Sequence, residues 1–464
     1  MKGWLVYFGM IAPILLFGQD HHQANDTTRQ EITCVKDFVS QGTTHGHIRN
    51  FFMHTVNEGS LRDYWANASG GSLTFYSAEW KGFMFGIQGI FTYNTFSSDL
   101  NRTDDATGKA AKWEKELFDI NRPEETKDLD RLEELFIQYA NDEFYIRVGK
   151  IDINHGPLLL RRDGRMKPFV YRGLWSKWVV NEKTELYLGW IDGVSPRGMT
   201  EWYSLNEAIG IANNGFQYDG SEAFYHEEGQ TKGMAIAGIE WQSSLIKWQV
   251  WNHHLHRITN ISWGQADLSY HNWEVGVQYA FQTAASRQRA LDSNHRYYQP
   301  HEQAHVFCLQ IGRHSTKEEL FLSAAALASL DQGRFLYPKE LGRENFYVSQ
   351  PRAFIDGYGD AKVYQVRLEW KPKGFVLRRF AVDLRFSRFE LAATDDYAMN
   401  KYGSPSFFQS TSSISYRPSN CFNGMRITLL HVGRITERSA QLSEEQVFYN
   451  TNLSHLNLIV NLDF

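Results

Sequence analysis

From His47 onward, apolar and polar residues alternate along the sequence with a period of two. This pattern marks strands whose two faces meet different surroundings. In "WEVGVQYAF", Trp273, Val275, Val277, Tyr279 and Phe281 share one face, and Glu274, Gly276, Gln278 and Ala280 share the other. "VYQVRLEW" sets Tyr364, Val366, Leu368 and Trp370 against Val363, Gln365, Arg367 and Glu369. "FAVDLRF" sets Phe380, Val382, Leu384 and Phe386 against Ala381, Asp383 and Arg385. In "LSHLNLIVNLDF", Leu456, Leu458, Val460, Leu462 and Phe464 fall on one parity. The alternation breaks at Phe51–Phe52 and at Leu429–Leu430. A wall between hydrocarbon and water reads this way, and so does a soluble sandwich.

The connections separate the two readings. Very short ones stand at Trp80–Gly82, Asn141–Asp142, Asn181–Thr184, Gln242–Ser244, His271–Asn272, His314–Glu319, Lys371–Gly374 and Arg417–Gly424. Between them lie mostly long polar stretches near 95–132, 151–169, 196–231, 284–302, 330–359, 390–408 and 439–450. Short turns on one side and long loops on the other define an all-β fold, a transmembrane antiparallel up-and-down β-barrel of about 18 strands. The turns are expected on the periplasmic side and the loops outside. No proline of the mature chain falls inside an expected strand, as the missing N–H requires. Aromatic residues on the apolar parity gather beside the short turns: Tyr139, Phe144, Trp178, Trp241, Trp248, Tyr270, Trp273, Trp370 and Tyr416. Such a girdle marks a membrane interface.

The opening "MKGWLVYFGMIAPILLFGQD" reads as a secretory signal peptide over 1–18, cleaved near Gly18. A periplasmic segment over 19–44 and a barrel over 45–464 are expected to follow, with an inward constriction loop near 151–169. No later run approaches the ~20 apolar residues of a membrane helix. Mean hydropathy, −0.46, would by itself suggest a soluble chain, but an aromatic fraction of 15% calls for something that holds many large rings. The formal charge of −5 argues against nucleic acid as a partner. The three cysteines, Cys34, Cys308 and Cys421, make neither a disulfide framework nor a metal spacing. No cofactor is expected.

Chemistry is sparse. "HEQAH" at His301–His305 matches a zinc-protease pattern, but that site needs a helix. Here Pro300 precedes the motif and the strand-like "VFCLQIG" follows it. No catalytic or metal site is assigned. The connection "NHGPLLLRRDGRMKPFVYRG" carries Arg161, Arg162, Arg165, Lys167 and Arg172 against a single acid, Asp163, with an apolar "LLL" able to anchor it. Folded inward, it would place Arg161, Arg162 and Arg165 at a constriction, where guanidinium forks suit carboxylates. Left outside, it would meet anionic headgroups. By parity, Arg147, Arg367, Arg379, Arg385, Glu369, Asp383 and Gln278 face the lumen. Such charges select ions or pair with one another across strands.

Three stretches carry a family likeness: "RDYWANASGGSLTFYSAEWKGFMFGIQGIFTYN", "ELFDINRPEETKDLDRLEELFIQY" and "RVGKIDINHGPLLLRRDGRMKPFVYRG". In them the chain resembles the OprD-type substrate-specific outer-membrane porins, in a Bacteroidetes-like form. The resemblance covers about the first third of the chain; beyond it only the rhythm of strands and loops continues. It implies an 18-stranded monomeric barrel, a constricted pore, an arginine ladder and passage of small, often carboxylate-bearing solutes. On this chain the ladder would be Arg147, Arg367, Arg379 and Arg385. The expected setting is the outer membrane of a Gram-negative bacterium. The partners would be lipid, lipopolysaccharide, small solutes and, through Phe464, the barrel-assembly machinery. A barrel hydrolase and an adhesive barrel with a blocked lumen are the rival readings.

Overall fold

The computed structural model describes residues 32–464 except 126, 128, 161–163, 213–214, 316–318, 374–376, 420–421 and 437–441. Among these residues nineteen strands form one antiparallel sheet. They are β1 (Thr43–Val56), β2 (Tyr64–Tyr76), β3 (Phe83–Ser97), β4 (Arg131–Ala140), β5 (Phe144–Ile151), β6 (Val170–Asn181), β7 (Thr184–Ser195), β8 (Tyr203–Ser204), β9 (Met234–Gln242) and β10 (Ile246–Leu255). The order continues with β11 (Thr259–Tyr270), β12 (Trp273–Ala284), β13 (Gln303–Ser315), β14 (Leu320–Ser329), β15 (Ala361–Trp370), β16 (Phe380–Glu390), β17 (Phe407–Tyr416), β18 (Met425–Ile435) and β19 (Leu453–Asp463). The two-residue β8 stands outside the wall, because β7 pairs directly with β9. Each remaining strand pairs with its neighbours in sequence, and β1 pairs with β19, so the wall closes into an eighteen-stranded barrel.

Closure reaches Phe464, whose N–H donates to Gly46 O (3.0 Å) while Gly46 N donates to Phe464 O (2.7 Å). Gly46 also makes room: a Cβ there would lie 2.3 Å from the Phe464 ring. The short turns fall on one side of the barrel, as at 141–143 and 271–272, and the long connections leave from the other; parts of those expected at 314–319, 371–374 and 417–424 lie outside the described residues. Two links on the long side are short, 57–63 between β1 and β2 and 256–258 between β10 and β11.

Side chains follow the parity. Val277, Leu309, Val366, Leu384 and Leu458 are exposed on the outer face. An apolar outer belt of this kind suits hydrocarbon. The girdle residues touch across neighbouring strands, Phe144 with Trp178 (5.5 Å between ring centroids) and Trp241 with Trp248 (6.2 Å). The parity breaks do not break strands. Phe51 is fully buried on the inner face beside the outward Phe52, because connections folded into the barrel cover the inner wall.

That inner filling forms two lobes. The larger packs residues of the connections 152–169, 196–233, 285–302 and 330–360 (Leu158, Leu205, Tyr298, Phe335 and Phe346 among them) on Trp175, Trp251, Trp263 and their neighbours. The smaller packs Leu100, Trp113, Leu117, Phe118, Phe448 and Tyr449 on Phe51, Met53, Tyr64 and Ala66 of β1 and β2.

Candidate functional site

The connection 152–169 crosses from one lobe to the other. Leu158 and Leu159 are buried in the larger lobe, Met166 in the smaller, and Phe169 in the larger again. The apolar run is thus an anchor, as its composition suggested, and the basic stretch lies between anchors. Arg161 and Arg162 lie outside the described residues. Arg165 is 1% exposed and grips Glu116 with its Nε (2.7 Å) and Nη2. From the wall, Arg49 on β1 holds this crossing by donating to Arg165 O (2.6 Å) and to Asn461 Oδ1 (2.7 Å). Arg131 on β4 holds its far end, donating to Pro168 O (2.9 Å) and to Ser195 Oγ (3.0 Å).

Glu116 is the meeting point of four connections. It belongs to 98–130, Arg165 to 152–169, Arg197 to the start of 196–233, and Arg343 and Arg352 to 330–360. Arg197 Nη2 stands 3.7 Å from Glu116 Oε2. Burial opposes ionisation of this carboxyl. Arg165 first, then Arg197, Arg352 and Arg343, more than overcome that and hold it at about 2. Arg165 and Arg197 contact this carboxylate, Arg352 and Arg343 act on it at longer range, and Arg352 also feels Glu114, so the guanidinium groups outnumber the carboxylates. The cluster lies where connections of the two packed lobes meet.

The wall candidates fare differently. Arg147 faces inward, donates to Gln138 Oε1 (2.8 Å) and stacks 4.0 Å from the Phe136 ring. Arg367 bridges Glu369 (2.6 Å) and Asp383 (2.8 Å), and Arg385 also binds Asp383 (2.7 Å). These four residues form a closed network of two cations and two anions whose fields largely cancel, the cross-strand alternative among the two readings of their parity. Arg385 donates further to Ser349 O (2.9 Å), so it also steadies 330–360. Arg379 lies in the connection before β16, at the short-turn end of the barrel, and not along the wall of the lumen. Gln278 faces inward but is 1% exposed, covered by 330–360.

The "HEQAH" residues separate. Glu302 is buried and takes the Arg334 guanidinium (2.8 and 3.2 Å), which also donates to Tyr397 O (2.9 Å). His301 packs on Tyr218, and His305 sits against Tyr279 and Phe281 on the outer face. Among the described residues no group of three His, Cys, Asp or Glu could hold a metal ion.

Sequence reasoning missed Glu116, Arg197, Arg343 and Arg352. The available signal was weak: each arginine sits beside a glycine or proline in a long connection ("SPRGM", "LGREN", "SQPRAF").

A closed eighteen-stranded barrel with an apolar belt, tight turns on one side and inward-folded loops from the other belongs to the class of membrane-spanning barrels. Within that class, solved structures share its fold. Acinetobacter baumannii OccAB4 superposes with a TM-score of 0.69 at 12% identity, covering 91% of this chain and 98% of that one. The outer membrane protein OpdK of Pseudomonas aeruginosa gives 0.66 at 15%, covering 92% and 99%. A structure of OpdK with vanillate gives 0.64 at 16%, covering 92% and 99%. No protein-family model matches the sequence, and no curated protein does. The fold is the one that the OprD-type resemblance implies.

Proposed function

We propose that this chain is an outer-membrane diffusion channel that draws small carboxylate-bearing solutes past a guanidinium cluster. The observation that carries the reading is the convergence of Arg165, Arg197, Arg343 and Arg352 on Glu116. Arg161 and Arg162, which lie outside the described residues, belong to the same connection in sequence. Guanidinium groups in a narrow, poorly polarisable surround attract carboxylates and repel small cations. The shared fold with an outer membrane protein, and with one holding the carboxylate vanillate, supports the reading. Export through a signal peptide over 1–18, a periplasmic segment over 19–44 and delivery by the barrel-assembly machinery through Phe464 belong to the same proposal. Lipid and lipopolysaccharide would then surround the outer face.

The test is electrical. Purified protein in a planar bilayer should conduct. In Arg165→Gln/Arg343→Gln/Arg352→Gln, the reversal potential under a salt gradient should move toward cation selectivity. Uptake of carboxylates should slow while that of neutral sugars of similar size holds. High salt should shrink the difference, since exposed charges are screened over ~8–10 Å. Unchanged potentials would remove these arginines from the conducting path, and absence of any conductance would favour the adhesive barrel.

A further inference from the structure

The segment 330–360 carries two of the four arginines of the cluster. It runs down the inner wall as a chain without regular secondary structure, so its own peptide groups need partners. Four inward glutamines supply them. On β12, Gln282 Nε2 donates to Leu336 O (2.6 Å) and Gln282 Oε1 accepts from Leu336 N (2.8 Å). Two inward positions earlier, Gln278 Nε2 donates to Asn345 O (3.1 Å) and Gln278 Oε1 accepts from Tyr347 N (2.9 Å). On β15, Gln365 Nε2 donates to Val348 O (2.9 Å). On β17, Gln409 Nε2 donates to Pro351 O (2.8 Å), and its Oε1 takes the Arg434 guanidinium (2.8 and 3.1 Å). All four side chains are buried.

A carboxamide offers one acceptor and two donor hydrogens, the same pairing chemistry as a peptide group, on an arm long enough to reach from wall to loop. Gln282 and Gln278 use both ends against the loop backbone, as a neighbouring strand would. The contacts follow the loop in order, from 336 through 345–348 to 351, while the wall advances from β12 through β15 to β17. Serine or threonine would be too short to span the gap, and glutamate would set an anion against Leu336 O or Asn345 O.

We propose that Gln278, Gln282, Gln365 and Gln409 are positioning residues. They latch 330–360 to the wall and so set Arg343 and Arg352 in the lumen. The constriction is then a docked part of the barrel, held by uncharged carboxamides beside the guanidinium contacts of Arg385 and Arg434, and not a flap that opens freely. The role in selectivity rests on the channel reading above; the latch itself does not.

Hydrogen–deuterium exchange on the detergent-solubilised full chain tests it. In the wild type, the amides of Leu336 and Tyr347 should exchange at least tenfold more slowly than those of Gly342 and Arg343, whose N–H groups make no backbone hydrogen bond among the described residues. Equal rates would overturn the latch without any variant. In Gln278→Leu/Gln282→Leu, the two slow amides should speed up at least tenfold while heat-modifiable barrel remains. Gln310→Leu should leave them unchanged, since Gln310 is buried on the inner wall of β13 and its side chain makes no hydrogen bond to 330–360 among the described residues. Gln282→Glu, which keeps the acceptor and loses the donor, should give an intermediate rate. Unchanged exchange in both Gln278→Leu/Gln282→Leu and Gln282→Glu would show that apolar packing alone holds the loop, and would end the proposal. In a bilayer, the double variant should show higher conductance and weaker anion preference. Faster exchange without any electrical change would uphold the latch and count against the channel reading.

Discussion

The two inner lobes do the same job with different fastenings. The larger one is tied to the wall by a row of neutral carboxamides, with Arg385 on Ser349 O, Arg434 on Arg352 O and Asp267 of β11 accepting from Tyr347 OH beside them. Within the loop itself, Glu344 accepts from Ile355 N (2.5 Å) and is pushed up to about 7 by burial and then by Asp356. The smaller lobe is tied to the wall through a carboxylate. Glu114, fully buried, accepts from Thr55 Oγ1 of β1 (2.5 Å) and from Tyr449 OH (2.5 Å). Arg352 touches both lobes: it stacks 5.0 Å from the Trp113 ring and lies 2.7 Å from His455 Nε2, while His455 Nδ1 is 2.8 Å from Thr55 Oγ1. A carboxamide link does not change with pH, whereas a carboxylate link carries a proton equilibrium into the docking of a whole loop.

The largest effect should come from the larger lobe's loop-to-loop tie. Arg334→Met would leave Glu302 buried without its guanidinium, at a cost of about 3–5 kcal/mol. Proteolysis around 216, 299 and 397 should accelerate while the wall persists. Next comes the wall itself, as the frame both lobes share. Val277→Arg on the outer face should cost about 2–4 kcal/mol of unfolding free energy in lipid. Gln278→Arg, one position on, should spare the wall and expel 330–360. Equal losses of wall stability would break the parity assignment.

In the smaller lobe, Thr55→Val or Tyr449→Phe removes one hydrogen bond to a charged group, worth about 1.5–3 kcal/mol. Amide exchange over 98–117 should rise, with no change at Leu336. The smallest effect is titration. Burial raises the Glu114 carboxyl above its ordinary 4.5, with Thr55, Tyr449 and Arg352 opposing. A carboxyl whose docked value is raised takes up a proton on docking. Docking of 98–130 is therefore strongest below about 4.5 and weakens as pH rises through the raised value, by about 1.4 kcal/mol for each pH unit between the undocked and docked values. Glu114→Gln should flatten that profile. A profile that persists in the variant would move the dependence to His455 or Arg352.

The contrast between wall and lobes also marks what the sequence could show. A strand's side chains obey a period of two, so Val277, Leu384, Trp273 and the short turns were readable one by one. Three leucines beside a run of arginines marked the stretch around Arg165 as a candidate, but its ion pair with Glu116 left no trace in the pattern. Glu116, Arg197, Arg343 and Arg352 were not, because irregular backbone has no period and their meeting depends on four connections folding together. The same cause explains Phe51 and Gln278. Parity places both on the inner face, but only the covering loop decides that one meets apolar side chains and the other peptide groups instead of water.

The closing seam bears on how the barrel is made. His47 and Asp463 meet at 2.6 Å although 416 positions separate them. Until β19 exists, both β1 and β18 offer unpaired edges of fourteen and eleven residues, the kind of edge that recruits other strands. No partial ring relieves this, since every shorter sheet still has two edges. Assembly is therefore all-or-nothing in its last step, with contacts as distant in sequence as the chain allows and folding correspondingly slow.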